Sequence, residues 1–385
     1  MLKRHSCSSS VEHILKRHRR SWPNLPEDVV ELILERLSVE SLVKFKSVCK
    51  KWKSTMESKR FQDRQFILGR QSRGEDVLFV SIMDYSHSGY EAGRSRIVLG
   101  SSVFRTVKFP ILSTEVCQGS CDGLICLTDV LTPSFVINPA TGWRTSFPHS
   151  SLQQLQKDRY YKGDFDVPSP KLGFGKDKVT DTYKPVWLYN SSEFGLDNET
   201  TCEVFDFGTN SWRYVLPASP YRIVSSNDPV YLDGSLYWLS ECQHTKVLSF
   251  HLHTETFRVI SQTHFYHFSK PVLSVLDNRL CISVQIYPDR CIFSLSGNNK
   301  TWEKMFEIDL DEISYLFGVG PLSTLIIPVA ILDKNKLLLR AQDEENDNLL
   351  SVVVIHDLHT KSYDLFYRPT SAGCCVSYFQ TLFTV

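Results

Sequence analysis

The sequence predicts an α+β multidomain fold, in which a short all-α region precedes a long all-β, propeller-like region of about six blades. Three observations support this. Apolar residues recur at helical spacing only near the start of the 385-residue chain, short strand-like runs fill the remainder, and one unit of these runs repeats. The predicted boundaries are a disordered basic tail at 1–21, a helical domain at 22–68 and the propeller at 69–385.

Composition indicates a soluble globular protein whose charge is unevenly distributed. Apolar residues make up 42% and charged residues 22%, and the formal net charge is zero. Residues 1–70 hold 16 Lys and Arg against 8 Asp and Glu, whereas the remaining residues hold 27 against 35. The cluster Lys16–Arg20 invites a nuclear-import or nucleic-acid interpretation. No aromatic residues are interleaved with it, so a solvated tail and no nucleic-acid partner are expected.

Cysteine usage favours a reducing compartment, the cytoplasm or the nucleus or both. The eleven Cys show no framework spacing. Several, such as Cys126 and Cys281, lie in apolar runs, where a reduced thiol behaves as a small apolar side chain. The first residues are polar and basic, unlike a secretory signal, and no apolar run approaches the ~18 residues of a membrane span. No membrane association is therefore expected.

Two or three short amphipathic helices are predicted between Pro23 and Lys53. Acidic Glu27 and Asp28 suit a helix start, and Ser38 can cap a second helix. The apolar residues at helical spacing are Val29, Val30, Ile33, Leu34, Leu37, Leu42, Phe45, Cys49 and Trp52. About 45 residues bury too little surface to be comfortably stable alone. The region is therefore either a cap on the main body or a module that docks on a partner's helices.

The same stretch resembles the F-box, the motif through which receptor subunits join cullin–RING ubiquitin ligases. The resemblance rests on Leu25-Pro26, Ser41-Leu42 and Val48–Trp52, while Lys44 and Lys46 stand where many members carry Arg. It implies a face that binds a Skp-type adaptor and, through the adaptor, a cullin. The residues it places in or beneath that contact, with Trp52 the first candidate for the core, are Leu25, Pro26, Ile33, Leu37, Leu42, Val48, Cys49 and Trp52.

After Arg70 a β-branched run, a turn and an aromatic residue recur together. The aromatic residues are Trp143, Trp212, Phe257, Trp302 and Tyr363. Two of their spacings are 45 residues, which fits the ~40–50 residues of one four-stranded propeller blade. Hairpins alternate with this unit and have their turns at Asp233-Gly234, Asp277-Asn278 and Asp333–Asn335. The two units together give four strands per blade.

This β region is similar to the F-box-associated domain of the large plant F-box family. The segments Gly119–Leu127, Ile137–Pro148, Leu172–Lys184 and Asp233–Leu239 match that domain in order. The two resemblances together cover residues 22–380. They imply a non-catalytic substrate-recognition subunit of an SCF-type ubiquitin ligase, in which the propeller holds a target protein and the F-box holds the ligase.

No motif for catalysis, a cofactor or a metal is found in the sequence. Gly173-Phe174-Gly175 lacks the third glycine of a dinucleotide loop and is interpreted as a β-turn. His251 and His253 share a strand face without a Cys or carboxylate at ligand spacing. No G-x-S-x-G, Walker or H-E-x-x-H pattern occurs. We therefore expect no enzyme activity, no cofactor and no metal.

Two segments are candidates for target binding. The polar insertion Ser150–Pro170 contains Arg159, Tyr160, Tyr161 and Phe165, a mixture that suits protein interfaces. The second is an acidic loop that starts at Asp343. A plain solvated loop is the alternative for both.

Three other functions stay open at this point. One is a scaffold that acts with the adaptor outside ubiquitination. Another is a self-incompatibility receptor for a ribonuclease. The third is a kelch-type propeller oxidase, which requires a metal constellation and normally a secretory signal.

Overall fold

The computed structural model describes residues 25–72, 76–81, 94–99, 103–108, 115–164, 168–266, 270–297, 301–318, 324–332, 335–343, 352–368 and 373–385. The chain divides into two units, Met1–Leu68 and Gly69–Val385. The expected basic tail at 1–21 lies outside the described residues.

The first unit is helical, as the spacing of its apolar residues predicts. Its helices are α1 (Glu27–Glu35), α2 (Val39–Phe45), α3 (Lys50–Glu57) and the greater part of α4 (Lys59–Ser72). Ser38 caps α2 as expected, because its hydroxyl accepts a hydrogen bond from the Ser41 N–H at 3.3 Å. The small core of this unit consists of Leu34, Val39, Leu42, Met56 and Phe61, all of which are buried.

The second unit is a propeller whose described strands form six four-stranded antiparallel sheets, the blades. Blade 1 combines β24 with β1, β2 and β3, and blades 2 to 6 each use four consecutive strands. The strands are β1 (Asp76–Ser81), β2 (Arg94–Leu99), β3 (Val103–Lys108), β4 (Glu115–Cys121), β5 (Leu124–Thr128), β6 (Ser134–Asn138), β7 (Trp143–Phe147), β8 (Gly173–Asp177), β9 (Thr182–Asn190), β10 (Thr200–Asp206), β11 (Ser211–Tyr214), β12 (Val230–Leu232), β13 (Ser235–Leu239), β14 (His244–His251), β15 (Thr256–Tyr266), β16 (Val272–Leu276), β17 (Arg279–Ile286), β18 (Asp289–Leu295), β19 (Trp302–Asp309), β20 (Thr324–Leu332), β21 (Lys336–Asp343), β22 (Val352–Asp357), β23 (Tyr363–Tyr367) and β24 (Gly373–Tyr378).

The inner strands of the blades form a closed ring. The strands β24, β4, β8, β12, β16 and β20 each contact the next, and β20 contacts β24 again. The predicted fold class is confirmed, and strand pairing settles the number of blades that the repeat spacing left open. The five aromatic residues of the repeat lie in blades 2 to 6. None of the five lies in blade 1, whose inner strand β24 comes from a distant part of the chain.

The recurring turns follow from side-chain hydrogen bonds at their first residue. The Asp206 carboxylate accepts from the N–H groups of Gly208 at 2.7 Å and Thr209 at 3.3 Å. Asn138 and Asp357 make the same pair of contacts in blades 2 and 6. The second hairpin unit is also as predicted, because both residues of the Asp233-Gly234 turn have positive φ, at 50° and 78°.

The interpretation of Gly173–Gly175 as a β-turn is wrong, since these residues lie in β8, the inner strand of blade 3. A Cβ on Gly173 would lie 2.8 Å from Cδ1 of Leu236, and a Cβ on Gly175 would collide with Tyr231. Both neighbours belong to blade 4. The two glycines are needed because the inner strand of blade 3 closely approaches the first two strands of blade 4.

Strand order gives the propeller two different rims. The turns that join the first strand of a blade to the second, and the third to the fourth, lie on one end, the turn rim. The connections between second and third strands, and between blades, lie on the other end, the helical rim. The helical rim carries α5 (Ser151–Tyr161), a 3-10 helix (Ser191–Phe194) and α6 (Leu310–Phe317). The polar insertion at Ser150–Pro170 was expected as a loop, and most of its described part is instead the helix α5.

Candidate functional site

An exposed apolar face lies on the helical unit. Leu25 is 58% exposed, Ile33 48% and Val48 59%. Pro26 and Cys49 are exposed as well. A unit with so small a core gains no stability from leaving these side chains in water, so the face is suited to contact another protein.

A cap and an ion pair shape this face. The Cys49 thiol caps α3 by accepting a hydrogen bond from the Trp52 N–H at 3.4 Å. Lys51, in the first turn of α3, pairs with Glu27 in the first turn of α1. The starts of α1 and α3 therefore lie side by side, which groups Leu25 and Pro26 with Val48 and Cys49.

The other predicted adaptor-binding residues support the face from beneath. Leu42 is fully buried, and Leu37 and Trp52 are half-buried. The Trp52 ring packs on Phe45 with 5.8 Å between ring centroids. These three residues hold the helices together, whereas Leu25, Pro26, Ile33, Val48 and Cys49 supply the accessible surface.

Charged side chains join α1 to α4 elsewhere in this unit. Arg60 donates to Glu31 at 2.6 Å, and Arg64 lies 3.0 Å from the buried Glu35 carboxylate. Burial raises the pKa of Glu35, and the Arg64 charge opposes that rise. The two pairs fix α1 against α4.

On the propeller, α5 is fixed by its N-terminus. Ser150 and Gln153 form a capping box at 3.1 Å in both directions. The buried Glu203 carboxylate of blade 3 accepts from the N–H groups of Ser151 at 2.9 Å and Leu152 at 3.0 Å. A carboxylate at this position also suits the positive end of the helix dipole. The helix is therefore held rigidly on the helical rim.

The predicted target-binding residues lie at the other end of α5. Tyr160 is 45% exposed and Tyr161 70%, and their rings meet edge to face at 5.9 Å. The Arg159 guanidinium stacks over Phe194 at 5.6 Å, so it is partly used within the fold. Phe165 lies outside the described residues. Asp343 ends β21, and the acidic residues that follow it are also outside them.

Exposed apolar residues are concentrated on the helical rim. In the described part of the propeller, one large exposed apolar residue, Val179, lies in a turn of the turn rim. The helical rim carries Leu131, Tyr160, Tyr161, Leu196, Leu216, Ile286, Tyr287, Tyr315 and Leu316. Of these residues, the sequence alone indicated only Tyr160 and Tyr161. The rim on which the others lie depends on the order of the strands, which local composition does not reveal.

The turn rim instead pairs its charges internally. Lys184 of blade 3 lies 3.4 Å from Asp177 and 3.0 Å from Glu255 of blade 4. His253 lies 3.2 Å from the same Asp177 carboxylate, and His251 accepts from the Thr254 N–H at 3.2 Å. The two histidines are thus used in a turn and in a hydrogen bond between blades.

Neither a metal site nor a membrane-spanning helix is found within the described ranges. No group of three or more His, Cys, Asp or Glu side chains is placed there to hold a metal ion. No helix in the same part of the chain is long and apolar enough to cross a membrane.

Comparison with known families agrees with the two units. Residues 22–64 match the F-box domain family, and residues 85–385 match the F-box associated beta propeller domain family. The second match alone spans well over half of the chain.

Three proteins of Arabidopsis thaliana are close relatives. F-box protein At1g11270 is 54% identical and covers 78% of this chain and 93% of its own. F-box/LRR-repeat/kelch-repeat protein At1g09650 is 48% identical, covering 94% and 97%, and F-box protein At2g34280 is 45% identical, covering 94% and 99%. Both units are of the expected kinds, each matches a family, and the relatives match most of this chain and most of their own length. The chain therefore belongs to the plant F-box proteins that carry an F-box-associated propeller domain.

Proposed function

We propose that this protein is the substrate-recognition subunit of an SCF-type ubiquitin ligase. The observation that carries the proposal is the pair of exposed apolar surfaces, one on each unit. The face around Leu25 and Val48 would bind a Skp-type adaptor and, through it, a cullin, as its F-box character suggests. The propeller would bind the target. The chain itself would perform no chemistry and would act by holding the target near the catalytic subunits.

We place the target on the helical rim of the propeller. Connections carry recognition residues on a rigid scaffold, and exposed Tyr and Leu side chains are typical of protein interfaces. The turn rim offers little free surface of this kind, because its charges are paired between blades. Arg159, Tyr160 and Tyr161 lie on the favoured rim and remain candidates.

A paired pull-down with the proteasome inhibited tests the proposal. The tagged full chain is compared with Leu25→Ala/Pro26→Ala, and bound proteins are identified by mass spectrometry. Ile67→Ala is the matched control, because Ile67 is 54% exposed on α4 and is not among the predicted contact residues. We expect the double variant to lose adaptor and cullin and to keep its other partners, and the control to keep all of them.

The lifetimes of the retained partners distinguish a ligase subunit from a scaffold that acts outside ubiquitination. A retained protein whose lifetime lengthens with the double variant is a substrate of the ligase. If the adaptor binds but no retained partner changes its lifetime, the protein acts as a scaffold outside ubiquitination. If the intact chain never recruits the adaptor, the proposed function is wrong.

We also propose that the complex forms in the cytoplasm or nucleus. Burial raises the pKa of Cys281 to about 11 and that of Cys375 to about 12, so both thiols stay protonated at neutral pH. Neither is part of a disulfide. Buried, reduced thiols of this kind suit a reducing compartment. Fluorescence imaging of the tagged full chain checks this, and accumulation in the secretory pathway would contradict it.

A further inference from the structure

A second apolar face on the helical rim surrounds α6, between blades 5 and 6. This helix buries Leu310, Ile313 and Phe317 and exposes the opposite side, where Tyr315 is 89% and Leu316 46% exposed. Among the residues of the propeller that the structure describes, no packing accounts for a tyrosine that is almost completely exposed. The surface is therefore free to receive a partner.

The neighbouring hairpin between β17 and β18 extends this face. Ile286 is 49% exposed and Tyr287 60%. The Tyr287 hydroxyl donates to the Asp311 carboxylate at 3.4 Å, and the Leu310 N–H donates to the Pro288 carbonyl at 3.2 Å. These bonds join the hairpin to the first turn of α6. The α6 corner is the surface formed by Ile286, Tyr287, Tyr315 and Leu316 and by the carboxylates beside them.

Those carboxylates make the α6 corner strongly acidic. Asp289 pairs across the sheet with Asp309, and Asp311 and Glu312 follow in the first turn of α6. Burial raises the pKa of Asp289, and the charges of Glu307, Asp309 and Asp311 raise it further, while Lys304 opposes them. The carboxylates are thus close enough to repel one another.

Few cations offset this charge in the described residues. Lys304 is paired with Glu307, and the positive charge of Lys361 also acts on Glu307. Arg368 lies at the far end of α6, where it donates to the Phe317 carbonyl at 2.9 Å. The excess at the start of the helix is negative.

Helix stability explains only part of the acidic charge. The Asp309 carboxylate caps α6 by accepting from the Glu312 N–H at 2.8 Å, and acidic residues in a first turn suit the helix dipole. Asp289 on β18 and Glu307 on β19 lie outside the helix and have no such role. Exposed aromatic residues beside a cluster of carboxylates that outnumbers its neighbouring cations match a ligand that is both cationic and partly apolar.

We propose that the α6 corner is the docking site for a basic segment of a partner protein, in which Lys or Arg alternates with apolar side chains. Arg and Lys would meet the carboxylates and the faces of Tyr287 and Tyr315, and the apolar side chains would cover Ile286 and Leu316. This inference rests on the proposed function, because such a segment would be the feature that the receptor recognises in its target.

Peptide binding to the full chain tests the inference. The probes are a short fluorescein-labelled peptide of Arg, Lys and Leu and a matched peptide with Glu in place of each basic residue, followed by anisotropy. We expect only the basic peptide to bind, more weakly as salt is raised. Asp311→Asn/Glu312→Gln and, separately, Tyr315→Ser/Leu316→Ser should each weaken binding by about fivefold or more. Asp309 is left intact because it caps the helix.

Matched variants complete the experiment. Val179→Ser changes an exposed apolar residue on the turn rim, away from the α6 corner, and should leave binding unchanged. Asp311→Lys/Glu312→Lys should reverse the preference toward the acidic peptide, an outcome that loss of folding cannot produce. Equal binding of both peptides, no binding of the basic one, or binding unaffected by the α6 variants would overturn the inference.

Peptide binding and adaptor binding are measured independently, so each can contradict its own proposal without affecting the other. The Leu25→Ala/Pro26→Ala variant should bind the basic peptide as the parent does, even though it loses the adaptor. Peptide binding without adaptor binding would leave the α6 corner as a docking site on a protein that is not a ligase subunit. Adaptor binding without peptide binding would leave the ligase subunit and remove the site.

Discussion

The side-chain amide of Asn138 donates hydrogen bonds to the carbonyl of Phe383 at 2.9 Å and to that of Thr381 at 3.0 Å. Its carbonyl oxygen accepts from the N–H groups of Ala140 and Thr141 in the turn of blade 2. Asn138 is fully buried. One side chain therefore shapes a turn of blade 2 and also holds the segment that follows β24, the inner strand of blade 1.

We expect Asn138→Asp to destabilise the propeller by about 2–4 kcal/mol, although the two side chains have the same shape. Aspartate keeps the acceptor for the turn but replaces the donor with a second oxygen, which would face the carbonyls of Thr381 and Phe383. Asp206→Asn is the matched control, because Asp206 holds the same kind of turn in blade 3. It should change the free energy of unfolding by less than ~1 kcal/mol. Chemical denaturation measures the free energy of unfolding of both variants. Equal losses would contradict a stabilising role for the hydrogen bonds from Asn138 to Thr381 and Phe383.

Acid should weaken the contact between blades 3 and 4 at Asp177. Burial alone would raise the pKa of this carboxyl, but hydrogen bonds from Thr180, Val179 and His253 outweigh burial and hold it well below the ordinary value of 3.8. Because the folded-state pKa is depressed, the stabilisation is complete above pH 3.8 and is lost as the pH falls below it. Asp177→Asn should therefore be less stable than the parent by about 1–2.5 kcal/mol at pH 7.

The measurement is thermal unfolding of the parent and Asp177→Asn between pH 7 and pH 3. The difference in Tm should shrink as the solution is acidified. Asp364→Asn removes an exposed carboxylate on β23 and serves as the control. A difference that stays constant across the range would show that the ionised Asp177 does not stabilise the fold.

Substitutions at Leu42 and Val48 should distinguish residues that stabilise the helical unit from residues that bind the adaptor. Leu42→Ala removes a fully buried side chain and should cost about 2–5 kcal/mol of stability. Val48→Ser changes a side chain that is 59% exposed and should shift stability by at most ~0.5 kcal/mol. Calorimetry gives the adaptor affinity of each, and we expect Val48→Ser to lose affinity while remaining folded. An unaltered affinity would remove Val48 from the contact.

Gly173 should tolerate no side chain. The alanine Cβ would lie 2.8 Å from Leu236 of blade 4, so Gly173→Ala should destabilise the propeller by about 1–3 kcal/mol. Gly297 has no neighbour within 4 Å of an added Cβ, and Gly297→Ala is the control. Chemical denaturation of both variants tests the close approach of the two blades. Similar stabilities for the two would contradict it.

Sequence alone predicted the architecture because its signals are local and repeated. A turn after the third strand and an aromatic residue that follows it mark blades 2 to 6, and Trp212 and Tyr363 are examples. Blade 1 carries none of these five aromatic residues, and its inner strand comes from residues 373–378. Pairing between strands so far apart in the chain leaves no local pattern, so spacing could not fix the number of blades.

The helices of the helical rim were missed because their apolar content is low or brief. The helix α5 (SLQQLQKDRYY) fixes itself through Leu152, Gln153 and Gln156, two of which are polar. The signals that were present are caps: Ser150 with Gln153 before α5, and Asp309 with Gly318 around α6. The α6 corner depends on how a hairpin and a helix from separate stretches meet, which composition does not reveal.

The pairing of β24 with β1 also sets the order in which the molecule can be made. Strands β1 to β3 leave the ribosome early, and their partner β24 leaves it after every other blade. Blade 1 must therefore wait, with one edge of β1 unpaired, until residues 373–378 have been synthesised. Since the helical unit precedes the propeller, the proposed adaptor would meet a nascent chain whose ring is still open. Closure of the ring, and with it a complete surface for the target, comes last.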